Sequence, residues 1–281
     1  MAETERIAFQ GEIGAYSEEA ALALYPGSEV VPCPSFEAVF EAVSRGNVSA
    51  GVVPIENSLH GSVHANYDLL REFDLQITAE AQLRIRHYLL AREGATLAGL
   101  QRVRSHPQAL GQCREFLRTR LPHVEAIPAY DTAGAAKSVA EWSGTTDAAI
   151  ASNNAAQEYG LQVLASGIES NPNNFTRFLA LECQAPVNPV LTQPKTSLLY
   201  VPGDNIPGVL FKSLGVFALR DIDLFKIESR PLVGSPGKYI FYLDLAGAAS
   251  DENVEKALDH LQEIAGYVKV LGSYSTGALL G

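Results

Sequence analysis

The chain has 281 residues, of which 47% are hydrophobic and 19% charged, and this composition is typical of a globular protein rather than a disordered one. The length is sufficient for two domains. The formal net charge of −11 makes nucleic acid and anionic membranes poor partners, although a local cluster of arginines and backbone N–H groups could still bind an anionic substrate.

The sequence contains no signal for export, membrane insertion or metal binding. Residues 1–6 are polar and lack the apolar core of a signal peptide, and no segment reaches the roughly eighteen apolar residues of a membrane span. Cys33, Cys113 and Cys183 lie far apart, so neither a disulfide framework nor a zinc site is predicted. We therefore expect a cytoplasmic protein.

Short apolar runs alternate with predicted helices in the N-terminal region. Ser17 and Ser35 are predicted helix N-caps, because a serine side chain can accept a hydrogen bond from the free N–H groups of the first turn. The predicted strands of this region cover residues 7–10, 30–32 and 51–55. Repeated strand–helix units of this size favour an α/β sheet covered on both faces.

The same pattern continues through the middle of the chain. Residues 83–89 alternate apolar and polar side chains, which predicts one half-exposed strand. Ser105 and Gln108 form a capping-box pattern that predicts the start of a helix, and Asp131 or Thr132 is expected to cap another. Further strands are predicted over residues 148–151 and 175–181. Polar side chains follow several of these strands, and ligands bind at such strand ends in open α/β sheets.

The pattern changes at Lys195. Strands are predicted over residues 196–201, 224–230, 239–245 and 268–271, with one helix over 208–219 and another capped by Asp251. This βαββαβ order is that of ferredoxin-like domains. The proline-rich segment before Lys195 is predicted to be a stiff linker over residues 186–194.

Two polar segments each allow a structural and a functional interpretation. Glu56, Asn57 and Ser58 follow a buried strand, where they could form a polar turn or contact a ligand. Ser105 is explained by helix capping, whereas Gln112, about two turns into that helix, needs another reason. His106, at the start of the helix, is interpreted as a surface histidine.

The segment Thr176-Arg177-Phe178 is the strongest local signal in the sequence. Side chains alternate along a strand, so Thr176 and Phe178 share one face and Arg177 points to the other. The structural interpretation is a β-branched residue beside an ion-paired arginine. The functional one is a hydroxyl donor in a cleft, with a guanidinium nearby that binds a carboxylate. Cys113 is interpreted as a buried apolar residue rather than a nucleophile.

Taken together, five motifs in the same order resemble the monofunctional prephenate dehydratase family over nearly the full chain. The motifs are FQG at residues 9–11 with GAYS at 14–17, PIENS at 54–58 with Gly61 and Val63, SHPQ at 105–108 with Gln112 and Cys113, and NFTRF at 174–178. The C-terminal part resembles the ACT regulatory domain of that family through FALRDI at 217–222 and KIESRP at 226–231. The family's frequent Gly-Ala-Leu at the effector site is here Gly208-Val209-Leu210.

The resemblance implies a carbon–oxygen lyase that converts prephenate to phenylpyruvate, with loss of carbon dioxide and water, in L-phenylalanine biosynthesis. It implies no metal and no other cofactor. It also implies a catalytic fold like the type 2 periplasmic binding proteins, with two α/β lobes around a cleft. Residues 1–185 would form this domain: lobe one about 1–78 with 175–185, and lobe two about 79–174. Residues 195–281 would form the ACT domain.

The resemblance also implies roles for particular residues. Thr176 is the expected catalytic residue, which would hydrogen-bond or protonate the departing hydroxyl group. The expected substrate-binding residues are Glu56, Asn57, Ser58, Ser105, Gln112, Arg177 and Phe178. L-phenylalanine is expected to bind where two ACT domains pair, in a homodimer or homotetramer. The expected effector-binding residues are Gly208, Val209, Leu210, Glu228, Ser229, Arg230 and Pro231.

Two other protein classes remain to be distinguished from this one. A two-lobed cleft also serves simple ligand capture, so an amino-acid-responsive binding protein is one alternative. An ACT-regulated dehydrogenase acting on the same substrate is the other. It should carry G-x-G-x-x-G after its first strand, and GEIGAY at residues 11–16 does not fit that pattern.

Overall fold

The computed structural model describes residues 4–187, 189–203 and 206–280, which form sheets of seven, five and four strands with α-helices packed against them. Residues 1–3, 188, 204–205 and 281 lie outside this description, so the predicted linker over residues 186–194 is described only in part.

The elements of the described residues follow in chain order. The strands are β1 (Arg6–Gln10), β2 (Glu29–Cys33), β3 (Ala50–Asn57), β4 (Gly61–Ser62), β5 (Gln76–Arg84), β6 (Tyr88–Ala91), β7 (Arg102–Ser105), β8 (Glu125–Pro128), β9 (Asp147–Ala151), β10 (Gln162–Ser166), β11 (Phe175–Glu182), β12 (Pro194–Pro202), β13 (Leu224–Pro231), β14 (Tyr239–Ala246), β15 (Ala265–Ser275) and β16 (Leu279–Leu280). The α-helices are α1 (Tyr16–Leu24), α2 (Phe36–Ser44), α3 (His64–Glu72), α4 (Pro107–Gln112), α5 (Arg114–Arg120), α6 (Thr132–Glu141), α7 (Asn153–Glu158), α8 (Val209–Ala218) and α9 (Glu252–Ile264). None of these helices has the length and apolar character needed to cross a membrane.

The first two sheets form two lobes with the same internal arrangement. The first sheet has the order β16-β5-β11-β3-β1-β2, and the second has the order β10-β6-β9-β7-β8. In each sheet, the strand that arrives from the other lobe, β11 or β6, is inserted antiparallel to both of its neighbours. The predicted two-lobed α/β architecture is therefore confirmed.

The crossing between the lobes differs from the prediction. The single strand expected over residues 83–89 is two strands, because β5 ends at Arg84 in the first sheet and β6 begins at Tyr88 in the second. Alternating polarity cannot distinguish one strand from two successive strands in different sheets. The chain therefore leaves the first lobe at residues 85–87, not near Thr78, and it returns at Phe175.

Helix starts follow the capping rules in part. Ser35 caps α2 as predicted, since its Oγ accepts a hydrogen bond from the N–H of Ala38 at 3.2 Å. The prediction for Ser17 is wrong, because α1 begins two residues earlier than an N-cap at Ser17 requires, and Ala15 is its N-cap. The carboxylate of Glu18 accepts the hydrogen bond of the Gly14 N–H, and so stabilises the helix start that Ser17 was expected to cap.

The third sheet has the antiparallel order β13-β14-β12-β15, and together with α8 and α9 it completes the predicted βαββαβ arrangement. One face, with Leu198 and Leu243, packs under the two helices. The opposite face places Tyr242 and Tyr274 in one hydrophobic core with residues of the first lobe. Both faces of this small sheet are therefore covered.

The C-terminal strand extends further than predicted. The last strand was expected to end at residue 271, but β15 continues to Ser275 and β16 then joins the first sheet beside β5. A Cβ atom at Gly272, where φ is +150°, would lie 2.2 Å from the carbonyl oxygen of Ile77 in β5. Glycine is therefore required for this close approach of the two backbones.

Candidate active site

A cavity of about 530 Å³ lies between the two lobes, at the point where the chain crosses between them. Both lobes and the crossing strand β11 contribute to its wall. The lining residues used below are Gly11, Tyr16, Phe36, Pro54, Asn57, His60, Ile85, His87, His106, Gln112, Asp131, Thr132, Thr176 and Phe178.

Asn57 organises the hydrogen bonds on the first-lobe side of this cavity. Its Oδ1 accepts the backbone N–H groups of Leu59 and His60 at 3.0 and 3.1 Å. The side-chain nitrogen of Asn57 is therefore the donor to its other partners. It donates to Asn174 Oδ1 at 2.8 Å and to Thr176 Oγ1 at 3.0 Å.

This arrangement leaves the proton of Thr176 free. The Thr176 hydroxyl accepts the hydrogen bond from Asn57, and it has no further hydrogen-bond partner within residues 4–187, 189–203 and 206–280. Only 9% of Thr176 is exposed, and it lines the cavity. The hydroxyl can therefore donate its proton to a group that enters the cavity.

The same reasoning assigns the orientation of Gln112 and His87. Asn174 donates to Gln112 Oε1 at 3.0 Å, so that oxygen is an acceptor, and His87 Nε2 lies 2.6 Å from it. His87 therefore carries a proton on Nε2. Gln112 Nε2 in turn donates to His60 Nδ1, at 3.1 Å.

His87 is buried and only 2% exposed, and its second ring nitrogen lies 3.0 Å from the hydroxyl of Tyr16. Burial lowers the pKa of His87, and the hydrogen bond to Gln112 opposes that effect only in part. Sequence reasoning did not single out His87 or His60. Neither histidine belongs to a motif for which a functional role was predicted. Both are far from Gln112 in the sequence, and the fold brings them into contact with it.

Two ionisable groups of the second lobe also face the cavity. His106 is the N-cap residue of α4, and its Nδ1 accepts the N–H of Gln108 at 3.3 Å. Burial lowers the pKa of His106, against the opposing effect of Asp131. Burial raises the pKa of Asp131, while the hydrogen bond from the Gly134 N–H lowers it. His106 is therefore a cavity residue, not the surface histidine that was predicted.

Four of the eight catalytic and substrate-binding residues expected from the sequence line the cavity: Asn57, Gln112, Thr176 and Phe178. Ser58 and Ser105 do not. Ser58 Oγ donates to the carbonyl oxygen of Asn173 at 2.9 Å and holds the turn against the crossing segment.

Ser105 is fully buried, and its Oγ donates to the carbonyl oxygen of Ile150 at 2.6 Å. Its side chain therefore joins β7 to the end of β9 and contacts neither the cavity nor the N–H groups of α4. Both the capping role and the substrate contact expected for Ser105 are contradicted by this geometry.

The structure also contradicts the assignment of Arg177 to substrate binding. Arg177 is 7% exposed, and its guanidinium donates to Glu80 at 2.6 Å, Asp244 at 2.5 Å and the hydroxyl of Tyr274 at 3.0 Å. Strand alternation turns Arg177 away from the face that carries Thr176. Its partners are therefore in the third sheet and on β5, not in the cavity.

Glu56 on β3 is paired with Arg177 on β11, and both side chains point to the same side of the first sheet. Its carboxylate forms salt bridges with Arg177, at 3.4 Å, and with Lys226 of β13. Glu56 therefore joins the first lobe to the third sheet, and it does not line the cavity.

The expected effector-binding residues fall into two groups. Glu228 accepts a hydrogen bond from Ser62 Oγ at 2.6 Å, and Arg230 donates to both carboxylate oxygens of Asp68, at 3.1 and 2.7 Å. These two side chains face the first lobe. The exposed residues are Ser229 and Pro231 on the other face of β13, and Gly208 and Leu210 at the start of α8, with Val209 between them partly buried.

Comparison with known proteins identifies the family. The family model for prephenate dehydratase matches residues 7–186. The chain belongs to the prephenate dehydratase family. It is 48% identical over 280 residues to arogenate dehydratase/prephenate dehydratase 2, chloroplastic, of Arabidopsis thaliana, covering 96% of this chain and 72% of that protein. It is also 48% identical over 285 residues to arogenate dehydratase 2 of Petunia hybrida, covering 96% and 71%.

Two solved structures share the fold over almost the whole chain. Prephenate dehydratase in complex with L-Phe from Arthrobacter aurescens matches with a TM-score of 0.89 at 32% identity, covering 98% of this chain and 93% of that one. GqqA, described as a quorum quenching acylase, matches with a TM-score of 0.87 at 34% identity, covering 97% and 98%.

The relatives overturn the cytoplasmic location expected from the sequence. Six relatives from Arabidopsis thaliana are named as chloroplastic proteins. The expectation depended on the absence of the apolar core of a signal peptide. That criterion detects export signals alone. Plastid transit peptides are amphipathic and rich in arginine and serine, so they lack such a core.

Proposed function

We propose that this member of the prephenate dehydratase family converts prephenate to phenylpyruvate, releasing carbon dioxide and water. The observation that carries the proposal is the Thr176 hydroxyl. It lines the interlobe cavity, accepts a hydrogen bond from Asn57 at 3.0 Å and keeps its own proton free.

The reaction needs a hydrogen-bond donor at the departing oxygen. Loss of carbon dioxide makes the ring aromatic and expels the ring hydroxyl, on which negative charge develops. Thr176 donates to that oxygen, and the N–H of Asn57 polarises the threonine hydroxyl and strengthens it as a donor. A hydroxyl is a weak acid, so Thr176 acts by stabilising charge within a network that returns any proton it gives.

The remainder of the cavity wall suits the decarboxylation. The apolar side chains Phe36, Ile85 and Phe178 line it together with Pro54. An apolar surrounding favours a transition state in which the charge of the ring carboxylate disperses. Gln112, held by Asn174 and His87, is proposed to position the substrate.

The direct test is to mix the purified enzyme with prephenate in the absence of any nucleotide and to follow the product. Phenylpyruvate should form. Formation of 4-hydroxyphenylpyruvate only after addition of NAD or NADP would identify a dehydrogenase instead. Binding of prephenate without turnover would identify a ligand-capture protein.

Acyl hydrolysis is not supported, although one similar structure is described as an acylase. Among the described cavity residues, no serine, threonine or cysteine side chain is hydrogen-bonded to a histidine. An acyl-transfer enzyme of the usual kind needs such a nucleophile–base pair. The hydroxyl of Thr176 is instead held by an amide, which cannot accept its proton.

We further propose that residues 195–281 form an ACT domain that binds L-phenylalanine, after a catalytic domain over residues 1–185 and a linker over 186–194. A similar structure is described as a complex with L-Phe, which supports this proposal. The exposed residues Gly208, Leu210, Ser229 and Pro231, with Val209, are proposed to contribute to the effector site. Glu228 and Arg230, which already bond to the first lobe, would transmit the response.

A dimer formed by the third sheets would complete this effector site. β13 is an edge strand, and the side chain of Ile227 on it is 47% exposed. Phe211 on α8, which covers the same side of the sheet, is 81% exposed. An edge strand beside exposed apolar side chains is a favourable pairing surface.

A further inference from the structure

The edge of the first sheet is formed by a strand that follows the third sheet in the chain. β16 lies beside β5 and pairs with it in parallel, with Leu280 opposite Leu83. The family model matches residues 7–186, so β16 lies outside the matched segment. The first lobe therefore includes a strand from beyond the segment that defines the family.

Specific contacts hold this segment against β5. The N–H of Gly277 donates to Glu80 Oε1 at 2.9 Å, and the N–H of Gln82 donates to the carbonyl oxygen of Ala278 at 3.2 Å. A Cβ atom on Gly277 would lie 2.3 Å from the carbonyl oxygen of Glu80, so only glycine permits this approach. Hydrogen bonds and a close backbone contact therefore fix residues 277–280 in place.

The strand register places Leu280 in the same cross-strand row as Thr176. Thr176 is opposite Asn57 on one side and Leu83 on the other, and Leu83 is opposite Leu280. Residues that are directly opposite each other in a sheet point to the same face. Asn57 therefore contacts Thr176 from one side of the row, while Leu83 and Leu280 extend the row on the other side.

Packing on this face connects Leu280 with the cavity wall. Leu83, Ile85 and Phe178 belong to one buried cluster, and Leu280 packs against that cluster. Ile85 and Phe178 also line the cavity. Within the described part of the chain, β16 is the outermost strand on this side of the sheet. The side chain of Leu280 therefore completes the packing at the end of the row that carries Thr176.

We propose that Leu280 is a positioning residue for Thr176 and that it acts through Leu83. The inference rests on the proposed function, because a change in turnover is expected only if Thr176 is the hydrogen-bond donor in the reaction. Removing the Leu280 side chain leaves Leu83 without its outer neighbour, so β5 and the adjoining part of β11 are held less firmly. Catalysis is sensitive to the position of the donor, since a misplacement of about 1 Å can reduce the rate about a hundredfold.

The test compares Leu280→Ala, Leu280→Met and Leu279→Ala with the parent enzyme. In Leu280→Ala, kcat for prephenate should fall about tenfold while KM stays within about twofold, because the donor is displaced and the substrate-binding groups remain. Methionine nearly conserves the volume of leucine and should restore most of the activity. Leu279 is the matched control, since it is adjacent on β16 but 63% exposed, and its substitution should leave kcat unchanged.

Amide hydrogen exchange supplies a second measurement that needs no substrate. Peptides covering residues 76–84 and 175–182 should exchange faster in Leu280→Ala than in the parent enzyme or in Leu279→Ala. Thermal unfolding establishes that each variant is folded at the assay temperature.

The outcomes separate this inference from the proposed function. A folded Leu280→Ala enzyme with the parent kcat, an equal loss in Leu279→Ala, or no rescue by methionine would overturn the positioning role. Unchanged hydrogen exchange in Leu280→Ala would overturn it as well, whether or not the enzyme is active. A parent enzyme that does not turn over prephenate would instead contradict the proposed function.

Discussion

The Thr176 hydroxyl depends on two backbone N–H groups that it never touches. Those of Leu59 and His60 fix the oxygen of Asn57, and this leaves its nitrogen as the donor to Thr176. A reversed amide would accept the threonine proton and remove the donor from the cavity. The orientation of one asparagine therefore decides whether the Thr176 proton is available to a group in the cavity.

At the residue scale, we predict that His87→Gln reduces the loss of stability on acidification. Burial lowers the pKa of His87 from 6.5, so the unfolded chain binds a proton at a higher pH than the folded protein does. The folded state therefore loses stability as the pH falls below about 6.5. Glutamine can still donate to Gln112, but it cannot titrate.

Thermal unfolding at a series of pH values from neutral downward measures this effect. His123→Gln, at an exposed position, is the matched control and should follow the parent curve. Parallel curves for His87→Gln and the parent would contradict the prediction.

Sequence reasoning predicted the face of Thr176 but not its surroundings. Strand alternation predicted that Thr176 and Arg177 point to opposite faces, and this is confirmed by the structure. The partners of Arg177 were not predictable, because Asp244 lies 67 positions away and on another sheet. The same holds for His87, whose partner Gln112 lies 25 positions away.

At the element scale, a buried ionic cluster fastens β11 to the third sheet. Arg177 on β11 donates to Asp244 on β14, which also accepts from Ser197 Oγ at 2.5 Å. Glu80 on β5 accepts from both Arg177 and Lys195, each at 2.6 Å. The strand that carries Thr176 is therefore held by carboxylates on β5 and β14.

We predict that Asp244→Asn destabilises the protein by about 3 kcal/mol, because it leaves a buried guanidinium short of one anion. The kcat should fall as well, since Arg177 is adjacent to Thr176 on the same strand. Urea unfolding and turnover measure the two effects.

Asp68→Asn is the matched control for this change. It breaks the more exposed pair with Arg230, so the expected loss is about 1 kcal/mol or less. Equal losses in the two variants would argue against a special role for the buried cluster.

Element prediction succeeded at two helix starts whose capping signal is local. Ser35 marks the start of α2, and Asp131 that of α6, because capping involves residues three positions apart. It failed for the local signal at Ser17, and it failed where the decisive neighbour is distant in the sequence. Nothing near Gly272 in the sequence indicates that β15 must pass against Ile77 of β5.

At the scale of the whole molecule, the third sheet and the first lobe share one hydrophobic core. Tyr242 and Tyr274 of that sheet lie in the same cluster as Val53 and Tyr67 of the first lobe. Side chains of the third sheet therefore belong to the same core as side chains of β3. Through this shared core, an effector that binds one conformation of the third sheet more tightly than another would change which conformations the first lobe populates.

We predict that Ile227→Lys converts a dimer to a monomer and removes inhibition by L-phenylalanine. A lysine on the exposed edge strand β13 would place two like charges at the proposed pairing surface. Sedimentation velocity and turnover with added phenylalanine measure the two effects.

Val163→Lys, on the second sheet and 44% exposed, is the control that should remain a dimer. A dimeric Ile227→Lys that is still inhibited would contradict pairing through β13.

Turnover of prephenate by Thr176→Val, compared with Thr176→Ser, tests the role of the hydroxyl most directly. Valine keeps the shape of threonine and removes the donor, so kcat should fall at least about a hundredfold, as for loss of general acid catalysis. Serine keeps the hydroxyl and should retain a much larger share of the activity. A folded Thr176→Val enzyme that forms phenylpyruvate at nearly the parent rate would contradict the assignment.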